Sequence, residues 1–440
     1  MKDKIRIGCG AGFSGDRLDP SIVLVEKGTL DYLVLECLAE RTIALAQKRK
    51  LQDPTKGYDP LLERRIESLI ELLVSRKVCL ITNMGAANPI AAAEKVVQIA
   101  KARKINLKVA AITGDDVFDR VDFGKPALET SQPISNAGNP VSANAYLGAV
   151  GIIDALKSKA DVIITGRIAD PSLFIAPMIH EFGWSLEDFD LLGKGTVIGH
   201  LMECAGHITG GYFADPGKKD VPDMAHLGHP FVDVSRDGSG TISKVEGTGG
   251  IINLLTAKEQ LLYEVVNPFE YYTPDVIADF TSVQLMQVGP NVVKVTGGSG
   301  KARPSTYKVS VGYQASYLGE GEITYGGSNA IARAKLAGET VRERLMVDFP
   351  DLRIDLIGES SVHGKEISFT SRPYEIRLRV VGTSPSSAKA ALVGEEVEAL
   401  YTNGPGGGGG VRKNVTEVIG IVSTLIPREQ AAHKLTLLQS

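Results

Sequence analysis

Four short apolar runs in the first half of the chain each end in a polar group. They are Asp31–Glu36 (DYLVLE), Val78–Asn83 (VCLITN), Lys108–Asp116 (KVAAITGDD) and Asp161–Arg167 (DVIITGR). Each is rich in Val, Ile and Leu and lacks the alternation of a half-solvated strand, which is how a strand buried on both faces of a parallel sheet reads. Ligands of such sheets bind just beyond the carboxyl ends of the strands. The strand-end groups Glu36, Asn83, Asp115, Asp116 and Arg167 are therefore expected to line one crevice.

Between these runs lie helical segments with clear start signals. Asp19-Pro20 and Asn88-Pro89 each pair a capping residue with proline at the first helical position. Helices are expected over 38–50, 60–74, 88–103 and 144–157, with Asp170-Pro171 capping another. This βαβα alternation predicts an α/β fold, a mostly parallel sheet with helices on both faces, over residues 1–280. After that the pattern changes. Val283–Val295, Tyr307–Ala315 and Ile376–Val381 read as antiparallel strands, with helices near 330–348 and 387–402. Residues 281–440 are thus expected to form a smaller α+β domain, two domains being the default for 440 residues.

Bulk composition narrows the function class. Net charge is −4, so no global basic field would draw nucleic acid or an anionic membrane. No run approaches the roughly 18 apolar residues of a membrane span. The N-terminus enters a strand directly and has no signal-peptide core. Cys9, Cys37, Cys79 and Cys204 form neither a CxxC pair nor a disulfide framework, and a cytoplasmic setting is expected.

Several constellations carry candidate chemistry, each against a structural reading. Gly10-Ala11-Gly12-Phe13-Ser14-Gly15 is a literal GxGxxG after a strand, with Glu36 about twenty residues on. Five residues separate it from the next helix, which disfavours NAD, so Gly12 and Ser14 are read as lining another polar ligand or forming a plain turn. Glu36 and Glu40 stand four apart, able to share a proton, hold a cation or simply open a charged helix. Asn83 and Asn88 flank small residues and could orient a substrate carbonyl. Asp115 and Asp116 are candidates for a base and its orienter or for Mg²⁺, although extended backbone turns only one toward the crevice. Arg167 must meet a carboxylate of the protein or of a substrate, because burying it alone costs several kcal/mol. Asp170 either joins that site or caps its helix.

His200, Glu203, Cys204 and His207 share one face if a helix runs through them. The histidines would stand roughly 10 Å apart along its axis, too far to grip one ion. A divalent metal would need ligands from elsewhere, and the alternatives are a Cys204 thiolate beside His207, a site-lining face or pure structure. Two glycine-rich loops end in cations, Lys301 and Arg303 in one, Arg412 and Lys413 in the other. They are candidate anion sites for a ligand such as coenzyme A, or hinges.

The stretches GCGAGFSGDR, ECLAERT, ITNMGAANP, TGDD, TGRIADPS, HLMECAGHITGGYFADP and TNGPGGGGGVRKNV occur in this order. In them the chain resembles the acyclic terpene utilisation AtuA family. The resemblance implies a place in citronellol and geraniol degradation beside a geranyl-CoA carboxylase and acyl-CoA enzymes. It also implies a ferredoxin-like C-terminal module in longer relatives, here expected as a small partner subunit. It brings no residue roles. The expectation is a homo-oligomeric catabolic enzyme acting on a carboxylate or CoA ester by a hydratase, lyase or isomerase step. The alternative is a non-catalytic accessory or scaffold subunit of an acyl-CoA-processing complex.

Overall fold

The computed structural model describes residues 2–363 and 373–440. The chain forms two compact units, one from residues 1–134, 141–312 and 421–440, the other from 135–140 and 313–420.

The first unit opens with β1 (Lys4–Ala11), α1 (Asp19–Lys27), β2 (Tyr32–Leu35), α2 (Glu40–Gln52), α3 (Leu62–Arg76), β3 (Cys79–Thr82), α4 (Pro89–Ala102) and β4 (Lys108–Thr113). It continues through β5 (Asn139–Ala145), α5 (Val150–Lys157), β6 (Val162–Thr165), α6 (Ser172–Phe182) and α7 (Phe189–Glu203). Then come β7 (Pro230–Ser235), β8 (Gly240–Lys244), α8 (Leu254–Leu262), β9 (Tyr271–Tyr272), β10 (Ile277–Asp279), β11 (Gln284–Gly289), β12 (Val292–Thr296) and β13 (Ser299–Lys301). The expected α/β class is present: β1, β2, β3, β6 and β4 lie side by side in parallel, in that order. Antiparallel strands extend this centre on both sides. β7, β8, β12 and β11 follow outward from β1, and the C-terminal strand Lys434–Gln439 pairs with β4, completing ten strands.

Both faces of the centre are covered. Leu33, Leu35, Leu80 and Ile164 pack against α1, α3 and α4, each fully buried. Burial of such a side chain contributes about 1.5–3 kcal/mol. The opposite face meets α5, α6 and α7. Asn88 caps α4, its Oδ1 accepting from Ala91 N. The helix expected from residue 144 begins at Val150, because residues 139–145 are already extended as β5.

The second unit is built from β14 (Thr306–Gly326), which begins in the first unit, then α9 (Ala330–Leu345), β15 (Arg353–Ile357), β16 (Glu375–Ser384), α10 (Ser387–Asn403) and β17 (Gly408–Pro427), which ends in the first unit. Strand β18 (Lys434–Gln439) is the C-terminal strand already placed. The βαββαβ sequence with strand order β15-β16-β14-β17 is the split-βαβ, ferredoxin-like arrangement. A ferredoxin-like topology is thus present within this chain. Ile323, Tyr325, Leu378 and Val380 face α9 and α10. Gly319 lets the helix approach, since a Cβ there would stand 1.8 Å from Ala390 O.

Candidate functional site

A cavity of about 1090 Å³ opens in the first unit beyond the carboxyl ends of β1, β2 and β6. Gly12 and Ser14 come from the turn after β1, Glu36 from the end of β2, Arg167 and Asp170 from the segment after β6, and Glu203 and Cys204 from the end of α7. The start of α2, Leu128, Tyr146, the segment from Tyr263 to Pro274, the start of β14 and Leu425 supply the remaining walls.

Glu36 is buried, and its Oε1 accepts from Leu38 N at 2.9 Å and from Asn83 Nδ2 at 2.8 Å. Asn83 is fixed in turn by accepting from Cys37 N at 2.7 Å. Burial pushes the Glu36 carboxyl well up and nearby Asp170 adds to this, while Arg167 and the Asn83 amide oppose it.

Arg167 is only 1% exposed, and it meets a carboxylate of the protein, Asp170. Its Nε and Nη2 also donate to Ile168 O at 3.1 and 2.7 Å, and its Nη1 donates to Leu38 O. The Tyr146 ring lies 4.5 Å from the guanidinium carbon. Tyr146 donates its hydroxyl to Glu40, whose carboxylate lies 3.6 Å from Lys308 Nζ. Asp170 is therefore held as an ion-pair partner, and α6 starts at Ser172 without a side-chain cap.

From the other side, His200 Nδ1 and Glu203 Oε1 are 3.0 Å apart. Burial lowers the His200 pKa to about 4, so the ring is neutral at pH 7 and gives Glu203 no positive charge. Burial pushes Glu203 well up, with Asp170 and Glu264 adding. Glu203 Oε2 and His200 Nε2 are buried and make no hydrogen bond. Tyr271 and Phe280 pack on the imidazole at 5.5 and 5.4 Å. Burial likewise holds the Cys204 thiol in its protonated form.

The continuous helical face expected through residue 207 is broken. Helix α7 ends at Glu203, Cys204 caps it, and Ala205 takes a left-handed φ of 43° before a short turn to His207. His207 leaves the Glu203 face, stacks on Tyr212 at 5.4 Å and meets Tyr263 edge-on at 5.1 Å. The break brings Cys204 against the turn after β1, where a Cβ on Gly12 would stand 2.5 Å from the Cys204 carbonyl carbon.

Other strand-end groups sit behind the cavity wall or away from it. Asp115 is buried, its Oδ2 accepting from Arg167 N and Asn144 Nδ2, both at 2.9 Å. Burial raises its pKa to about 6. Asp116 turns outward and accepts from Phe118 N at 3.2 Å. Asn88 is spent on its cap and on the carbonyls of Pro54 and Lys56. Lys301 pairs with Glu270 at 3.2 Å and Arg303 with Glu187 at 3.3 Å. Arg412 is exposed, and Lys413 pairs with Glu398, both in the second unit. Among the described residues no group of three or more His, Cys, Asp or Glu is placed to hold a metal ion.

Sequence reasoning passed over Tyr146, Glu264, Tyr271 and Lys308, all of which line the cavity. The aromatic and acidic run YEVVNPFEYYTP, residues 263–274, was a local signal for part of that wall.

The family model described as acyclic terpene utilisation family protein AtuA matches residues 5–437, and the chain belongs to that family. No curated protein and no solved structure matches it. No described helix is long and apolar enough to cross a membrane.

Proposed function

We propose that this member of the acyclic terpene utilisation family is a catabolic enzyme that moves a proton on a carboxylate or CoA-ester substrate, in a hydratase, lyase or isomerase step. One observation carries the reading. Glu36, Asp170 and Glu203 come from three separate elements to one cavity, and a single buried guanidinium stands among them. Arg167 neutralises one carboxylate, Asp170. The other two, desolvated and each facing the charge of Asp170, hold their protons above the ordinary carboxylate range, as a group that exchanges a proton with substrate requires.

The roles divide by hydrogen bonding. Glu36 receives an amide N–H and a backbone N–H, both of which favour its anion, and it is the base. Glu203 leans on a neutral imidazole and presents Oε2 without a partner, and it is the acid. Leu38, Leu128, Val266 and Leu425, with the wall tyrosines, suit a branched hydrocarbon body. Lys301, Arg303 and Arg428 flank the strand that carries Pro304 and Tyr307 into the wall, with Arg428 4.2 Å over the Tyr307 ring. The ion pairs of Lys301 and Arg303 to exposed glutamates are weak and exchangeable, and Arg428 donates to the Pro274 and Pro304 carbonyls, an arrangement that suits the phosphates of a coenzyme left outside the mouth.

The test is isotopic. The protein is incubated in D₂O with a branched, unsaturated medium-chain acyl-CoA, and deuterium in the recovered acyl chain is measured by mass spectrometry. Incorporation by the parent, with loss in Glu36→Gln and Glu203→Gln, is expected. No incorporation by the parent would remove the enzymatic reading, and continued assembly with an acyl-CoA enzyme would then favour the accessory-subunit alternative.

A further inference from the structure

We infer that the cavity selects against a negatively charged head, and that the reacting end it takes is an uncharged oxygen function (thioester, ester, alcohol or aldehyde) on an apolar body. This narrows the proposed function, on which it rests, by removing free carboxylates from the substrate class.

The inference begins with the charges on the wall. Glu36, Glu40, Asp170, Glu203, Glu264 and Glu270 all line the cavity, against two cations, Arg167 and Lys308. Both cations are already engaged. Arg167 is paired with Asp170 and donates to two backbone carbonyls, and Lys308 stands 3.6 Å from Glu40. Arg167, the buried cation, is not left to neutralise a ligand anion, and half-exposed Lys308 is one cation against six lining carboxyl groups. A carboxylate entering here would meet the carboxyl groups of Glu40, Asp170 and Glu264 in a partly desolvated space, where like charges repel strongly. A neutral carbonyl or hydroxyl meets the same groups as a hydrogen-bond partner, accepting from Glu203 or donating to Glu36.

The mouth specifies the rest of the molecule. Phe13, Leu128, Val266 and Tyr272 line the cavity yet are 61%, 56%, 99% and 64% exposed, an apolar rim above an acidic floor. An apolar body crossing that rim covers it. One guanidinium nearby has donors to spare: Arg65 is 2% exposed, with Nε and Nη1 unbonded. It lies behind the wall, its Nη2 donating to the carbonyls of Ser14 and Asp16, and it is not a lining residue.

Binding of three probes sharing one branched medium-chain skeleton tests this by calorimetry at pH 7.5: the primary alcohol, the methyl thioester and the carboxylate. The alcohol and thioester are expected to bind at least about tenfold more tightly than the carboxylate. The gap is expected to shrink at pH 5 as the probe acid takes up its proton, and to shrink at pH 7.5 in Asp170→Asn. The pH comparison on the parent protein keeps the test sound if that variant fails to fold. Carboxylate binding within threefold of the alcohol, or tighter, overturns the inference, and loss of that binding in Arg65→Met would place the anion at Arg65 instead. Binding of none of the probes overturns it as well. Neutral probes that bind preferentially while no deuterium enters an acyl-CoA would leave this selectivity standing and remove only the proton-transfer step.

Discussion

Replacing Asn83 with leucine isolates what holds Glu36 in place. Asn83 is fully buried and bridges two groups, donating to Glu36 Oε1 at 2.8 Å and accepting from Cys37 N at 2.7 Å. Leucine shares its branched heavy-atom outline, is bulkier, and makes neither bond. The Cys37 N–H is then buried without a partner, which costs about 1–3 kcal/mol, and the lost bond to a carboxylate adds roughly 1 kcal/mol. Asn83→Leu should therefore destabilise the chain by about 2–4 kcal/mol at pH 7, read as a lower urea midpoint at unchanged m-value. Glu36→Gln is the control, because it keeps the Oε1 acceptor and removes the charge. The folded-state pKa of Glu36 lies above its ordinary value, so the folded protein binds the proton more tightly than the unfolded chain does. Its contribution is present below the ordinary carboxylate range and is lost as pH rises toward the folded pKa. Glu36→Gln should accordingly flatten the fall of stability above pH 4.5, the ordinary Glu value. An Asn83→Leu protein within about 0.5 kcal/mol of the parent, or a Glu36→Gln profile with the parental slope, would refute the account of a desolvated carboxylate propped by one amide.

Two further outcomes follow from the same geometry. Gly12→Ala would set a methyl 2.5 Å from the Cys204 carbonyl carbon, a backbone atom that cannot rotate away, and should cost about 1–3 kcal/mol in urea unfolding. Its effect on any turnover should exceed that of Gly409→Ala, where a Cβ meets open space. Asp115→Asn can keep both bonds, because Arg167 N and Asn144 Nδ2 converge on the same oxygen. It should remove stability lost between the ordinary Asp value and pH about 6, where the folded carboxyl holds its proton and the unfolded one does not, an effect of about 2–3 kcal/mol in pH-dependent denaturation.

The parallel centre was legible because a strand covered on both faces must be apolar on both, and no solvated element gives DYLVLE or DVIITGR that look. The convergence of the strand ends was legible only in outline. Glu36 and Arg167 reach the cavity, whereas Asn83 stands behind Glu36 and Asp115 behind the Arg167 amide. A run of apolar residues tells where a strand stops but not whether the next side chain faces the opening or props the one that does. The antiparallel flanks were hidden for a different reason. Lys434–Gln439 pairs with β4 across more than 300 residues of sequence, and nothing in KLTLLQ names its partner.

His200 and Glu203 show the same limit at closer range. The spacing of His200, Glu203, Cys204 and His207 fits one helical face, and that face would be right if Ala205 stayed helical. Its left-handed φ of 43° separates the four into a buried His200–Glu203 pair and an aromatic-stacked His207. A non-glycine residue in that conformation is costly in isolation and persists only where its surroundings impose it. The surroundings here are the close approach of Gly12 to Cys204, a contact between segments nearly two hundred residues apart. The backbone that brings Glu203 to the cavity wall is thus set by the turn after β1, and the glycine-rich motif shapes that wall by giving room to a distant helix end.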